Sequence, residues 1–199
     1  VAEEPGRRER KKQRTREALV AEAMRLFEQH GYDQTTVAEI AEAADVSTRT
    51  FFLHFATKED VLLAHTRVRV DLGIDVIAGR GPGESPADVL GRAIEEMIVN
   101  TWNTDLAGGL AGLRAGLLTS TPAVQARLLQ RFLAAHADLT EALLRAYPDE
   151  LDAIEAATLV GAVVGAVGAA ALTSLRRGDP PEQVRDAMSR ATALAVRPR

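Results

Sequence analysis

Arg49 is the residue with the clearest chemical use in this chain. It sits in the segment Val46-Ser47-Thr48-Arg49-Thr50-Phe51-Phe52-Leu53-His54-Phe55, whose other polar side chains are small hydroxyls and one imidazole. A guanidinium fork can grip the O6 and N7 edge of guanine in a major groove, and hydroxyls reach phosphates or bases. The spacing supports that use. Ser47 is a natural N-cap, and Val46 before it can staple onto Phe51 at the fourth helical position. Phe51 and Phe55 lie one turn apart and share a face. At about 100° per residue, Arg49 and Leu53 fall nearly opposite Phe51. Thr50 and His54 take one flank, and Thr48 and Phe52 the other.

Other chemistries lack their parts. The chain has no cysteine, which excludes disulfides, thiol catalysis and cysteine-bound metals. His30, His54, His65 and His136 are scattered without ligand spacing, so no metal or cofactor is expected. No nucleophile–base pair or phosphate-binding glycine loop appears, so an enzyme on a helical scaffold is a weaker reading. A helical carrier of small molecules or lipids that never meets DNA is the other alternative.

The elements that must position Arg49 are legible. Thr36-Val37-Ala38-Glu39 reads as a capping box. Val37, Ile40, Ala41 and Ala44 then recur at helical spacing. Asp45 closes that helix, in a turn that wants a residue tolerant of positive φ. Small Ala41 lets the next helix cross closely. Helix, tight turn and helix make a helix-turn-helix pattern.

The chain has 199 residues, enough for one large or two small domains, and its 46% hydrophobic but 4% aromatic content demands an aliphatic core. Net charge is −4, which alone argues against a nucleic-acid binder. The distribution argues otherwise. Arg7, Arg8, Arg10, Lys11, Lys12, Arg14 and Arg16 are opposed within that run only by Glu9. Beside a helix-turn-helix, a solvated tail becomes a phosphate-contacting arm, with Lys12 and Arg16 as candidates. No run is expected to cross a membrane. The closest, Leu159–Leu175, is short and ends at Arg176-Arg177. The charged N-terminus lacks the apolar core of a signal peptide, so a cytoplasmic protein is expected.

Nearly every segment reads as helix, and no strand pattern competes. The first helix runs from about Glu9 to His30, stopped by Gly31. Thr57 should cap a fourth helix continuing to about Ile77. Ser85-Pro86 opens a fifth, to about Trp102. A shorter helix covers roughly Leu106–Leu118. Thr121-Pro122 starts another, to about Tyr147, and Pro148-Asp149 starts a long apolar helix to Arg177. Asp179-Pro180-Pro181-Glu182 begins the last.

This layout resembles the TetR/AcrR family of bacterial transcriptional regulators. The resemblance is carried by Arg16, Ala18-Leu19, Leu26-Phe27, Gly31-Tyr32, Thr35-Thr36-Val37, Ile40-Ala41, Val46-Ser47, Phe51, His54-Phe55, Lys58-Glu59 and Leu62-Leu63. Asp45 replaces the usual turn glycine, and Phe52 stands where the family usually has Tyr, so one phosphate hydrogen bond is lost. The resemblance implies an all-α fold. Residues 1–56 would form an arm and a three-helix DNA-binding domain, and residues 57–199 a larger ligand-binding and dimerisation domain. It implies phosphate contacts for Thr36, His54 and Lys58, and groove contacts for Ser47, Thr48, Arg49 and Thr50. Thr35 joins Thr36 as a capping residue with an added phosphate role, and Phe52 packs on the sugar-phosphate backbone. The implied function is a homodimeric repressor that reads palindromic operator DNA and is released by a small apolar or amphipathic effector.

In the second region, Met97, Trp102, Leu106, Leu113, Arg114, Leu117, Phe132 and His136 are candidates for lining a ligand cavity. Leu117-Leu118-Thr119-Ser120-Thr121-Pro122 resembles a segment of family members associated with sensing fatty acyl-CoA esters. Several glycines in Gly161–Ala171 need a packing reason, because each costs a helix about 0.5–1 kcal/mol relative to Ala. In the family, the last two long helices pair between subunits. That resemblance assigns Leu159, Val163, Val167, Leu172, Val184, Met188 and Leu194 to a dimer interface.

Overall fold

The computed structural model describes residues 6–106 and 111–197. The chain is all-α. Helices α1 (Arg7–His30), α2 (Val37–Ala43), α3 (Thr48–His54) and α4 (Glu59–Leu62) come first. Then follow α5 (Thr66–Ala78), α6 (Pro86–Thr101) and a π-helical segment, Trp102–Leu106. Helices α7 (Ala111–Ser120), α8 (Pro122–Ala146), α9 (Ala153–Arg176) and α10 (Pro181–Ala195) complete it. The chain divides into two compact units, Val1–Ala64 and His65–Arg199. The first extends past residue 56, the boundary expected from the sequence, because α4 packs on α1 and buries Val61 and Leu62.

Three boundaries differ from the sequence expectation. The fourth helix is not continuous. It ends at Leu62, and α5 starts at Thr66. The Ala64 carbonyl, which an unbroken helix would spend on its own backbone, accepts from the Arg16 guanidinium at 2.8 Å. Thr57 is not the cap either, since Lys58 occupies that position without a side-chain bond. The long apolar helix begins at Ala153, because Glu150 and Leu151 amides first turn back onto the Tyr147 carbonyl. Asp152 then caps it, accepting from the Ile154 and Glu155 amides while Glu155 returns a carboxylate to the Asp152 amide.

The second unit closes around Ile77, Leu90, Ile94, Leu139, Leu143, Val160 and Val163. Tyr147 locks one end. Its hydroxyl donates to the Glu84 carbonyl at 2.8 Å, and the Arg80 guanidinium lies 4.4 Å from its ring centre. Helix α9 corrects the membrane expectation. With six further residues before Leu159, it reaches 24 residues, and an 18-residue stretch within it has a mean hydropathy of 1.9. By length and composition it is apolar enough to cross a bilayer, yet only 22% of that 18-residue stretch is buried within the chain.

The interface candidates on α9 and α10 are corrected in part. Val163, Val167 and Val184 are buried inside their own chain, at 0%, 9% and 2% exposure. Leu159 and Met188 pack partly against the same core. Leu172 is half-buried, and Leu194 is 59% exposed. The glycines of α9 also have a reason within the chain. Gly161 faces the His136 ring and Gly168 faces Phe132, where an added Cβ would stand 3.4 and 3.7 Å away, whereas Gly165 faces open space.

Among the described glycines, Gly73 of α5 has the closest neighbour. A Cβ there would lie 2.7 Å from the Met97 sulfur and 3.3 Å from Leu139 Cδ2. Gly73→Ala gains about 1 kcal/mol of helix propensity but overpacks this crossing. We expect a net loss of about 1–2 kcal/mol in chemical denaturation. Met97→Ala in the same chain should recover the overpacking part. Simple additivity of the two changes would contradict the crowding.

Candidate nucleic-acid interface

Helix α3 has seven residues, too few to stand alone in water. Its stability comes from its ends and its buried side. The Ser47 hydroxyl accepts the Thr50 amide at 3.1 Å and pairs with the Thr50 hydroxyl at 2.9 Å. Phe51 is fully buried and Phe55 is 2% exposed, with ring centres 5.7 Å apart. The turn before α3 is as expected. Asp45 has φ +53, and the Val46 amide bonds the Ala41 carbonyl at 2.9 Å. Thr36 and Glu39 form the expected capping box on α2.

The opposite side of α3 is open. Thr48 and Arg49 are exposed, and their side chains make no hydrogen bond or ion pair among the described residues. Phe52 is 55% exposed and rests edge-on against Phe51, and Leu53 is 74% exposed. The basic run is helical from Arg7, so it is the first turns of α1 and no loose tail. Lys12 is exposed beside Glu9, at 3.6 Å, a pairing that contributes little at the surface.

Three proposed phosphate contacts are corrected. Thr35 is 1% exposed, and its hydroxyl donates to the Gly31 carbonyl at 2.8 Å. Lys58 turns inward. Its ammonium donates to the Tyr32 and Thr35 carbonyls at 2.7 and 2.9 Å and lies 4.1 Å from the Tyr32 ring centre. Arg16 also serves the fold. Its guanidinium donates to the His54 carbonyl at 2.9 Å and to the Ala64 carbonyl at 2.8 Å, stacked 4.2 Å from the Phe55 ring centre. Thr36 remains exposed, but its hydroxyl already serves Glu39.

Sequence reading missed these two inward cations. The signal existed for Arg16. It lies three residues before Leu19 and seven before Ala23, on the stripe that both bury. A cation on an apolar stripe needs acceptors, and the uncapped carbonyl ends of α3 and α4 supply them. Lys58 and the Tyr32–Glu59 hydrogen bond of 2.5 Å carried no such signal.

Electrostatics follow from these contacts. Burial, then the Arg16 and Lys12 charges, hold the His54 imidazole below its usual value. Burial pushes the Tyr32 phenol up, and its bond to Glu59 adds to that. Burial works to raise the Glu59 carboxyl, but the Tyr32 hydroxyl and the Lys58 charge are among the contacts that hold it below the ordinary range.

Most of the second-unit candidates have contacts of their own among the described residues. Met97 packs against Gly73, and Phe132 and His136 seat on the glycines of α9. The His136 Nε2 lies 3.0 Å from the Ala157 carbonyl. Trp102 lies beneath the Arg185 guanidinium, 4.8 Å from its ring centre. Leu113, Arg114 and Leu117 lie along α7, with Arg114 only 9% exposed. The Leu106 side chain lies outside the described residues. In Leu117–Pro122, the Thr119 and Ser120 hydroxyls bond carbonyls of their own helix and Pro122 opens α8, so the segment is a helix junction.

Residues 19–65 match the family described as bacterial regulatory proteins, tetR family. The HTH-type transcriptional regulator TcmR of Streptomyces glaucescens is 37% identical over 130 residues, covering 64% of this chain and 58% of its own length. EthR of Mycolicibacterium smegmatis, also an HTH-type transcriptional regulator, is 32% identical over 175 residues, covering 84% of this chain and 79% of that protein. Among solved structures, the Thermus thermophilus repressor FadR in complex with lauroyl-CoA superposes with a TM-score of 0.54 at 23% identity, over 90% of this chain and 92% of that one. That last likeness speaks for the fold alone.

The inward role of Arg16 is open to measurement. Arg16→Ala should lower the unfolding free energy by about 2–3 kcal/mol, the scale of two partly buried charge-assisted hydrogen bonds. Arg14→Ala, at an exposed position of the same helix, should change it by less than about 0.5 kcal/mol. Equal small effects in urea denaturation would return Arg16 to the solvent-facing arm.

Proposed function

The chain belongs to the tetR family of bacterial transcriptional regulators, and from that premise we propose a homodimeric repressor that reads a palindromic operator and is released by a small ligand. The observation that carries the DNA reading is the division of α3. One side is sealed by Phe51 and Phe55, and the other offers Thr48, Arg49, Phe52 and Leu53 to whatever lies outside. Arg49 is assigned to guanine in the major groove. Ser47 and Thr50 stand beside it, with their hydroxyls paired to each other. Thr36, His54 and Lys12 face phosphates, and the basic start of α1 adds charge attraction.

Dimerisation rests on α9 and α10. An 18-residue stretch of α9 with mean hydropathy 1.9, of which 22% is buried, leaves apolar surface for a second copy to cover. Leu194, Leu172 and the open side of Gly165 belong to that surface. Two copies would present their reading helices to successive major grooves, about 34 Å apart.

The effector is assigned to the second unit and to an apolar or amphipathic class, in keeping with the aliphatic composition of its helices. The lauroyl-CoA bound to the Thermus repressor is consistent with that class. The effector must prefer the form that cannot hold DNA, or it shifts nothing. Movement of α5, which follows the reading unit in sequence, is the proposed route. The protein would act in the cytoplasm, on the chromosome.

Two measurements test this reading. Arg49→Ala should weaken binding to a selected operator by roughly 10- to 100-fold, as expected for a bidentate base contact, and leave the dimer mass unchanged. Unaltered specific binding would remove Arg49 from the interface.

The second concerns pH. The free His54 imidazole titrates below its usual value. A phosphate favours the imidazolium and raises that value in the complex, so binding takes up a proton between the two. Operator affinity should therefore rise as pH falls through that interval and level off below it. His54→Gln should flatten the profile. A wild-type profile already flat from pH 8 to 5.5 would exclude the phosphate contact.

A further inference from the structure

Leu53 has no assigned role, and it is the most exposed large apolar side chain of the reading helix, at 74%. It lies four residues after Arg49, so the two stand one above the other on the same outward stripe. Phe52 adjoins it at 55% exposure. Two large apolar side chains next to an exposed guanidinium, on the face opposite a sealed core, form a mixed surface.

The chemistry of the other groups on this face limits what they can read. The Ser47 and Thr50 hydroxyls are 2.9 Å apart and bonded to each other. That bond uses one of the two hydroxyl hydrogens, so the pair keeps one donor beside those of Thr48 and Arg49. A major groove displays acceptors, amino donors and one apolar group, the C5 methyl of thymine. An aliphatic side chain discriminates only through that methyl. Cytosine and the purines place nothing equivalent there.

We propose that Leu53 is a specificity-determining residue that reads a thymine methyl in each half-site. This rests on the DNA-reading assignment of α3 and extends it to a second position. Residues four apart are separated by about 6 Å along a helix axis, and successive bases by about 3.4 Å. The thymine therefore lies about two base steps from the guanine that Arg49 contacts. The surrounding charge suits a nucleic acid. The start of α1 contributes Arg7, Arg8, Lys11 and Arg14, all exposed.

The test uses the full chain and duplexes selected by it from random sequence. Each thymine of the selected site is then replaced singly by deoxyuridine, which removes the methyl and keeps every hydrogen-bonding group. At one position per half-site, the wild-type protein should lose about three- to five-fold in affinity, the worth of one buried methyl. Leu53→Ala should bind the thymine and uracil duplexes alike, keep its preference for guanine at the Arg49 position, and melt at the wild-type temperature. Methyl sensitivity that survives in Leu53→Ala overturns the proposal, as does sequence-specific binding indifferent to uracil at every position. Failure to select any duplex is a separate result, which overturns the operator reading and this inference with it.

Discussion

A seven-residue helix has to be held from outside, and that constraint organises the first unit. Phe51 supplies the hold by burying its whole side chain, with its ring against that of Phe55. Everything else near α3 refines the hold. Ser47 fixes where the helix starts, and Asp45 in a left-handed conformation fixes the angle at which the chain enters it. Arg16 takes the carbonyl of His54 at the far end and ties it to Ala64, while its flat face covers Phe55. A probe fixed at its start, middle and end keeps its outward side chains in one register, and reading base edges requires that.

The second unit solves a different problem. Its helices are long enough to be stable through packing, and several approach very closely. Gly73 admits Met97 between α5, α6 and α8, and Gly161 and Gly168 seat two rings from α8. Small residues on α9 thus serve contacts inside the chain first. The same helix still leaves much of its apolar surface only partly covered.

The sequence conveyed local signals well and long-range ones poorly. Caps at Thr36, Ser47 and Ser85, the stop at Gly31 and the strained turn at Asp45 each depend on residues within four positions, and each appears in the structure. At the break between α4 and α5 the Ala64 carbonyl is taken by Arg16, nearly fifty positions away, and no local pattern announces that bond. Val163, Val167 and Val184 show the same limit. Periodicity says that a face is apolar, but whether a neighbouring helix or a second chain covers it is a matter of tertiary arrangement. Lys58 is the sharpest case. A lysine at a helix start reads as phosphate-seeking, and here two backbone carbonyls and a tyrosine ring hold it inward.

That inward turn of Arg16 and Lys58 separates adhesion from architecture. Cations that meet phosphates compete with dissolved counterions, and their grip fades as ionic strength rises. Cations that meet partly buried carbonyls and aromatic faces are shielded from that competition. Concentrated electrolyte should strip such a molecule from a polyanion while leaving its reading head assembled, so release and unfolding answer to different solution variables.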